Sequence, residues 1–354
     1  MRYSPIFWWL YYGLKIDVLE HKIDRRNSWK DQIDYAISCY LNEKDLKDEV
    51  FVEHLKKDID RCYRIAKLSP IEYFMYNLTD ADEERVKSFV SDKVSLSELS
   101  KLGLRRLHDE ELEDKYKFYC INREYFKRDV IQVLTCEDYE EFEEMALKNN
   151  ELIFKPNGRA CGSGIFIEDV FSKKDVKDVF AKIVKNGGAW VIEKRIRQSK
   201  EMASWNESSV NTVRVTTFNN KRGIFVYGPF LRLGRNGQVV DNGGAGGVFA
   251  AIDVETGVVL TEGKDERSYN SYLKHPDSGK QIKGWQVPDW EELKKLVIDI
   301  HRKNMNKHLM IGWDFAHTDD GWVLIEGNWG QWIQQAFSKN GFAKDFYENI
   351  SLRN

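Results

Sequence analysis

Residues 309–328, LMIGWDFAHTDDGWVLIEGN, contain two apolar runs around a turn with an Asp-Gly pair, a composition typical of a β-hairpin. If residues 319–321 form a three-residue loop, antiparallel pairing places Asp314 directly opposite Glu326, with Asn328 on the same face. Facing carboxylates destabilise a sheet unless a positive charge neutralises them. We therefore expect these three side chains to bind Mg²⁺, which prefers hard oxygen ligands and shares its shell with substrate phosphates. A register slip of one residue would instead turn one carboxylate towards solvent.

Glycine divides the chain into two parts, because only two of the 24 glycines precede residue 158. Before about residue 105 the chain predicts helices, one of them Ser95–Leu104 with Ser95 as its N-cap. The glycine-rich part predicts two helices, Lys173–Lys185 and Trp290–Asn304, the second one capped by Asp289. It also predicts eight strands: Leu152–Phe154, Ile165–Ile167, Trp190–Glu193, Thr212–Phe218, Gly223–Tyr227, Val248–Asp253, Met310–Phe315 and Trp322–Gly327.

Three segments of the glycine-rich part suggest contacts with a nucleotide. Lys155 precedes a glycine loop, residues 158–164, whose backbone N–H groups suit phosphate oxygens, although a flexible turn explains the same composition. Glu193 ends a hydrophobic strand, where its carboxylate could accept from a purine amine or simply face solvent. Arg214 lies in the β-branched strand NTVRVT, so it needs an anionic partner, which is either a phosphate or a structural carboxylate.

A run of glycines, VDNGGAGG at residues 240–247, leaves a bare backbone against which a substrate could lie. Asn242, Gly243 and Gly244 are therefore candidate substrate contacts. His275, in HPDSGK, is either a further substrate contact or an ordinary satisfied histidine.

Composition excludes several classes of protein. The 354 residues include 54 Lys plus Arg and 57 Asp plus Glu, a formal charge of −3, which argues against a basic nucleic-acid binder. With 42% hydrophobic residues the chain is not a disordered one. Five cysteines without a C-x-x-C pair indicate a reducing compartment, so we expect a cytoplasmic protein. The apolar stretch Pro5–Leu14 is too short to span a bilayer; it predicts a packed helix face, with association at a membrane surface as the second interpretation.

The order of these motifs resembles the ATP-grasp superfamily, which includes D-alanine–D-alanine ligase. The runs NTVRV, VDNGGAGGVFAAID, HPDSGK, GWQVPDW and IGWDFAHTDDGWVLIEGN resemble the sugar-transfer-associated ATP-grasp proteins found with surface-polysaccharide genes. The resemblance covers roughly residues 105–335. It implies an α+β ATP-grasp fold, two subdomains clasping ATP, preceded by a mostly helical region. We expect helical residues 1–105, a lid subdomain at 106–200 and a core subdomain at 201–354.

The resemblance also implies a role for each matching residue. Arg214 and Lys155 are expected to be catalytic, and Asp314, Glu326 and Asn328 to hold Mg²⁺. The expected ATP contacts are Lys115, Lys155, Gly162, Ser163, Gly164, Glu193, Lys194, Ile196 and, for the ribose, Glu201.

The implied reaction is ATP-dependent ligation of a carboxylate to an amine through an acyl phosphate. Its implied partners are small-molecule carboxylates and amines, with a nucleotide sugar as one option, in cell-surface polysaccharide (capsule) biosynthesis. Two alternatives stay open at this point: a sugar kinase that uses the same ATP site, and a non-catalytic nucleotide-binding adaptor of a polysaccharide assembly complex.

Overall fold

The fold is given by a computed structural model that describes residues 28–103, 110–157, 164–241, 243, 246–329 and 332–353. The apolar segment Pro5–Leu14 and residues Gly162, Ser163, Asn242 and Gly244 lie outside the described residues. Within these ranges, no helix is both long and apolar enough to cross a membrane.

The first described region is helical, as predicted, and its helices continue as far as Phe126. These helices are α1 (Trp29–Tyr40), α2 (Glu43–Leu46), α3 (Glu49–Ala66), α4 (Pro70–Met75), α5 (Glu83–Ser88), α6 (Asp92–Lys101), α7 (Glu110–Glu113) and α8 (Lys115–Phe126). Local sequence explains where several of them begin. Ser28 caps α1 and Ser69 caps α4, each in a reciprocal capping box with an acidic residue three positions later.

A four-stranded antiparallel sheet follows, in the order β1-β4-β2-β3. Its elements are β1 (Val130–Val133), α9 (Tyr139–Asn149), β2 (Glu151–Pro156), β3 (Phe166–Asp169), α10 (Lys173–Asn186) and β4 (Trp190–Lys194). Ile153 pairs with Glu193 in the β2–β4 ladder, so Lys155 lies diagonally across from Glu193 on the same face. The register thus brings a lysine and a glutamate together on one surface of this sheet.

The second sheet has seven strands in the order β11-β10-β5-β6-β7-β8-β9. Its elements are α11 (Lys200–Ala203), β5 (Thr212–Asn220), β6 (Gly223–Leu233), β7 (Val248–Ala251), β8 (Gly263–Asp265), β9 (Ser271–Tyr272), α12 (Trp290–Asn304), β10 (Met310–Thr318), β11 (Gly321–Asn328) and α13 (Ala343–Ser351). All eight predicted strands overlap observed strands. The short β1, β8 and β9 were not predicted, because two to four residues give too little periodicity.

The hairpin β10–β11 confirms the expected pairing of Asp314 with Glu326, but the loop length and the register differ from those expected. Thr318 pairs with Gly321, so the loop has two residues and not the expected three. A β-bulge at Ile325 then shifts the register by one position. Without this bulge, Glu326 would lie on the opposite face of the sheet from Asp314.

One predicted helix start is wrong, and one predicted side-chain cap does not form. Helix α6 begins at Asp92 with Ser91 as its N-cap, and Ser95 lies inside the helix, where its hydroxyl donates to the carbonyl of Asp92. Asp289 precedes α12 but makes no side-chain cap. Its carboxylate hydrogen-bonds with the ring of His317 at 2.9 Å, so a tertiary contact has replaced the local one.

The core of the molecule joins these layers. The helices α1, α3, α4 and α5 share one hydrophobic cluster with Phe230 and Phe249 of the seven-stranded sheet, so the N-terminal region packs directly on that sheet. Helix α8 lies within the range expected for the lid, yet its Phe118 packs against Trp313 of β10. The N-terminal helices thus pack on the seven-stranded sheet, whereas α8 packs on β10 in a separate cluster.

Gly327 provides a test of the packing between α8 and β11. A Cβ atom at this position would lie 2.4 Å from the Phe118 ring. We expect Gly327→Ala to lower the free energy of unfolding by about 1–3 kcal/mol through overpacking. Phe118→Leu removes the clashing ring atoms, so the double variant should lose less stability than the two single losses combined, as measured by urea denaturation. Strictly additive losses would contradict this contact as the cause.

Candidate active site

A cavity of about 880 Å³ lies between the two sheets. Lys155 and Glu193 line it from the four-stranded sheet, and Arg214, Asp314 and Glu326 line it from the seven-stranded sheet. This volume is in the range of small-molecule and cofactor sites. Charged side chains from distant parts of the chain thus meet in one cleft.

Lys155, Glu193 and Arg128 form a buried charge cluster on the four-stranded side. The Lys155 Nζ lies 2.5 Å from Glu193 Oε1, and the Arg128 Nε donates to Glu193 Oε2 at 2.8 Å. Burial opposes ionisation of Glu193, but the charges of Arg128 and Lys155 outweigh it and lower its pKa to about 2. The Glu193 carboxylate therefore acts as the counterion of two cations.

Arg128 also connects the two sheets. Besides binding Glu193, its Nη1 donates to the carbonyl oxygen of Leu324 at 2.7 Å. Leu324 precedes the bulged residue Ile325 in β11. One buried guanidinium thus ties the Lys155 side of the cleft to the strand that carries Glu326.

Lys115 is the first residue of α8, and its backbone N–H donates to Asn157 Oδ1 at 2.9 Å. Burial lowers the pKa of its ammonium group, and nearby Lys155 adds to that effect, whereas Glu326 opposes it. Lys115 therefore lies in the same electrostatic environment as Lys155 and Glu326. Two lysines converging on one cleft favour an anionic ligand.

Asp314 lies at the centre of a second buried charge network. Arg214 binds it with two nitrogens, Nε to Oδ1 and Nη2 to Oδ2, the latter at 2.7 Å. Arg232 Nη1 donates to Asp314 Oδ2 at 3.0 Å, and its Nη2 lies 3.0 Å from Asp241 Oδ1. Burial opposes ionisation of Asp314, but Arg214 and Arg232 hold its pKa at about 2. The structural carboxylate partner left open for Arg214 is therefore Asp314.

Glu326 and Asn328 complete the group of oxygen ligands. The Asn328 amide nitrogen donates to Glu326 Oε1 at 3.1 Å, so the two side chains share one face of β11. Asp314 faces Glu326 across the hairpin and is ionised at neutral pH. Two carboxylates and one amide oxygen fit Mg²⁺ that takes its other ligands from phosphates and water. The described residues contain no group of three His, Cys, Asp or Glu that could hold a metal alone.

A model of the family described as sugar-transfer associated ATP-grasp matches residues 98–346. The chain belongs to this family. The match extends from α6 to α13 and includes both sheets and every charged residue described above. Membership of this family supports ATP binding. The N-terminal helices α1–α5 lie outside the matched region.

Solved structures with the same type of fold have low sequence identity to this ATP-grasp chain. D-alanine–D-alanine ligase from Bacillus anthracis is 14% identical, with 68% of this chain and 67% of that chain covered and a TM-score of 0.40. D-alanyl-alanine synthetase A from Vibrio cholerae is 10% identical, with 68% and 64% covered and a TM-score of 0.42. VanG D-Ala:D-Ser ligase from Enterococcus faecalis is 11% identical, with 68% and 61% covered and a TM-score of 0.44. None of these values assigns a substrate. No curated protein sequence matches the chain significantly.

Most of the expected site residues of this ATP-grasp chain line the cavity between the two sheets. Those that do so are Lys115, Lys155, Glu193, Ile196, Arg214, Gly243, Asp314, Glu326 and Asn328. Four of the described ones do not border it: Gly164, Lys194, Glu201 and His275. The side chains of Lys194 and Glu201 are exposed outside the cleft, whereas Glu207, six residues beyond Glu201, lines it.

His275 lies outside the cavity, so it is not brought together with the other expected site residues. Its ring is buried, with Nε2 at 3.0 Å from the Gly234 carbonyl oxygen. Its Nδ1 is within hydrogen-bonding distance of the Ser278 N–H, at 3.3 Å. Burial lowers the pKa of His275. Both ring nitrogens hold a turn together, so this is the satisfied histidine of the second interpretation.

Arg128, Arg232 and Asp241 are site residues that the sequence analysis missed. Arg232 lies in the apolar run FLRLG, and the argument used for Arg214 applies to it equally. Asp241 lies within the glycine-rich run. No local pattern singles out Arg128, because its partners are 65 and 196 residues away in the chain.

The lowered pKa values of Glu193 and Asp314 predict how stability depends on pH. Both carboxyl groups lose their protons more readily in the folded chain than in the unfolded chain, whose values are about 4. Their contribution is therefore complete above about pH 5 and is lost as pH falls towards about 2. We expect the free energy of unfolding to fall over this range, and Glu193→Gln to flatten that fall.

Glu193→Gln should also destabilise the protein at pH 7 by about 3–5 kcal/mol, because it leaves Arg128 and Lys155 buried without their counterion. Chemical denaturation at a series of pH values measures both effects. The matched control is Glu255→Gln, at an exposed carboxylate outside the cleft, which should reproduce the wild-type curve. An unchanged slope for Glu193→Gln would contradict the assigned charge state.

Proposed function

We propose that this chain is an ATP-dependent carboxylate–amine ligase that acts through an acyl phosphate and consumes Mg²⁺-ATP. The observation that carries the proposal is the convergence of Lys115, Lys155, Glu326 and Asn328 with the Arg214–Asp314 pair on one cavity. Cations suited to phosphates lie beside oxygen ligands suited to Mg²⁺. Membership of an ATP-grasp family supports the identity of the nucleotide.

The phosphate-binding part of the proposal rests on the lysines. Lys155 is held in place by Glu193, so its ammonium group is positioned before a ligand arrives. We propose that Lys155 and Lys115 bind the phosphates of ATP, and that Ile196 and the backbone near Lys194 border the adenine. Glu207 lines the cavity and replaces Glu201 as our candidate for the ribose hydroxyls.

Asp314, Glu326 and Asn328 would hold Mg²⁺, which neutralises phosphate charge during transfer when it is bound. Arg214 and Arg232 keep Asp314 ionised, so no proton competes for its oxygens. The two guanidinium groups also place positive charge where an oxygen of the transferred phosphoryl group gains negative charge. Positioning and charge neutralisation supply the catalysis, since the proposed reaction needs no covalent protein nucleophile.

In the proposed reaction a substrate carboxylate attacks the γ-phosphorus of ATP, and ADP leaves. An amine then displaces phosphate from the acyl phosphate and forms an amide. The family description associates the chain with sugar transfer, so we propose a sugar acid as the carboxylate substrate and surface polysaccharide as the biosynthetic context. A cytoplasmic location follows from the supply of ATP.

Glu326→Gln tests the catalytic role of the hairpin. The variant keeps the shape of the side chain but removes the charge facing Asp314, so ADP formation should fall about 100-fold or more. The assay is an ADP-release screen with Mg²⁺-ATP, amino acids and nucleotide-linked uronic acids, with products identified by mass. Asp319→Asn, an exposed carboxylate in the turn of the same hairpin, is the matched control and should keep wild-type activity.

Product analysis separates ligation from phosphotransfer. An amide together with free phosphate supports the ligase, whereas a stable phosphoester supports a kinase. If Glu326→Gln releases ADP at the wild-type rate, the proposed role of the hairpin is wrong.

A further inference from the structure

The cavity extends beyond the phosphate-binding residues along the seven-stranded sheet. On the β6–β8 side its wall includes Phe230, Arg232, Gly243, Phe249, Glu266 and Arg267. Arg232 lies at the junction, because it binds Asp314 and its charge also acts on Glu266. We call this part of the cleft the distal compartment. It adjoins the place where the acyl phosphate of the proposed reaction would form.

Glu266 is the acidic group of the distal compartment that has no assigned task. Its backbone oxygen accepts a hydrogen bond from the Tyr40 hydroxyl at 2.5 Å, which fixes this part of the wall to α1. A Cβ atom at Gly243 would lie 2.3 Å from Glu266 Oε2, so the carboxylate packs closely on Gly243. Among the described residues, no donor hydrogen-bonds to this carboxylate. Burial raises its pKa, although Arg267 and Arg232 oppose that effect.

Arg267 supplies the opposite charge in the same wall. Its guanidinium lies 5.9 Å from the centre of the Tyr35 ring on α1, and within the described ranges it forms no ion pair. Adjacent cationic and anionic residues that both line a cavity, without an ion pair between them, fit a ligand that carries both charges. An amino-acid zwitterion has this chemistry: its ammonium complements Glu266 and its carboxylate complements Arg267.

We propose that the distal compartment binds the amine substrate as a zwitterionic amino acid, with its ammonium on Glu266 and its carboxylate on Arg267. This inference rests on the proposed ligase function and names the class of its amine substrate. Tyr40 and Tyr35 are positioning residues in α1, which lies outside the matched family region. The N-terminal helices therefore help to build the substrate wall as well as the core.

Glu266 also has a chemical task in this arrangement. An ammonium group cannot attack a carbonyl carbon, so it first transfers one proton to the Glu266 carboxylate. The neutral amine nitrogen then forms a bond with the acyl carbon, and the bond from that carbon to the phosphate oxygen breaks. The second proton leaves with the phosphate, and Glu266 returns its proton to solvent after product release.

Binding measurements test the charge assignment. The full chain, saturated with Mg²⁺ and the non-hydrolysable analogue AMP-PNP, is titrated calorimetrically with the standard amino acids and D-alanine. We expect at least one to bind, and its methyl ester and its N-acetyl derivative to bind at least about tenfold more weakly. Glu266→Gln should weaken the amino acid and the ester but leave the N-acetyl derivative unchanged. Arg267→Gln should give the opposite pattern.

Matched controls are Glu255→Gln and Arg302→Gln, at exposed positions outside the cavity, which should bind every probe as the wild type does. AMP-PNP affinity should be equal in all variants, which also reports that each is folded. The inference is overturned if no amino acid binds, or if Glu266→Gln and Arg267→Gln bind it normally. Loss of AMP-PNP binding in the wild type, or full ADP release by Glu326→Gln, would instead contradict the proposed function.

The proton transfer has its own test in turnover with the carboxylate found in the ADP-release screen. At saturating amino acid, Glu266→Gln should slow amide formation about 100-fold or more. Hydroxylamine is neutral at pH 7 and needs no base, so hydroxamate formation by the same variant should stay within about twofold of the wild type. Equal losses with both nucleophiles would contradict the role of Glu266 as proton acceptor.

Discussion

The buried ion pair between Arg214 and Asp314 is the interaction on which the cleft depends. These residues are directly opposite each other on β5 and β10, and Arg232 of β6 extends the pair to Asp241. Two guanidinium groups and two carboxylates balance each other, and Arg214, Asp241 and Asp314 are buried. Removing one partner would leave the others uncompensated, at a cost of several kcal/mol. The network keeps Asp314 ionised, which is the condition for using its carboxylate as a metal ligand.

A second buried charge cluster connects the two sheets. Arg128 binds Glu193 on one side of the cleft and the carbonyl of Leu324 on the other, while Glu193 holds Lys155. A charged residue of the four-stranded sheet is therefore positioned relative to the strand that carries the oxygen ligands. The N-terminal helices add a third constraint, because their core continues into Phe230 and Phe249, which border the distal compartment. The two sheets and the N-terminal helices, which are distant in sequence, therefore together fix the shape of the cleft.

Local sequence predicted the elements of the fold better than it predicted how they meet. Composition and periodicity indicated eight of the described strands, the helical first part and the hairpin of residues 309–328, since these depend on neighbouring residues. Helix α6 begins after Ser91 and not at Ser95, because two nearby serines compete for the cap. Helix α12 begins where predicted, but Asp289 hydrogen-bonds with His317 in place of the helix. The short strand β1 follows Arg128 in a charged segment and has no periodic signal of its own.

The sequence by itself determined the chemistry available to the site: a strand lysine, an arginine in an apolar strand, and two carboxylates and an amide on one hairpin. Only the tertiary structure decided which charges pair. It assigned Glu193 to Arg128 and Lys155, removed His275 from the cavity, and placed Glu266 and Arg267 in its wall. It also introduced the bulge at Ile325, which returns Glu326 to the face of Asp314. The physical reason is that a buried charge is stable only beside its partner, and most of these partners are dozens to hundreds of residues away in the chain.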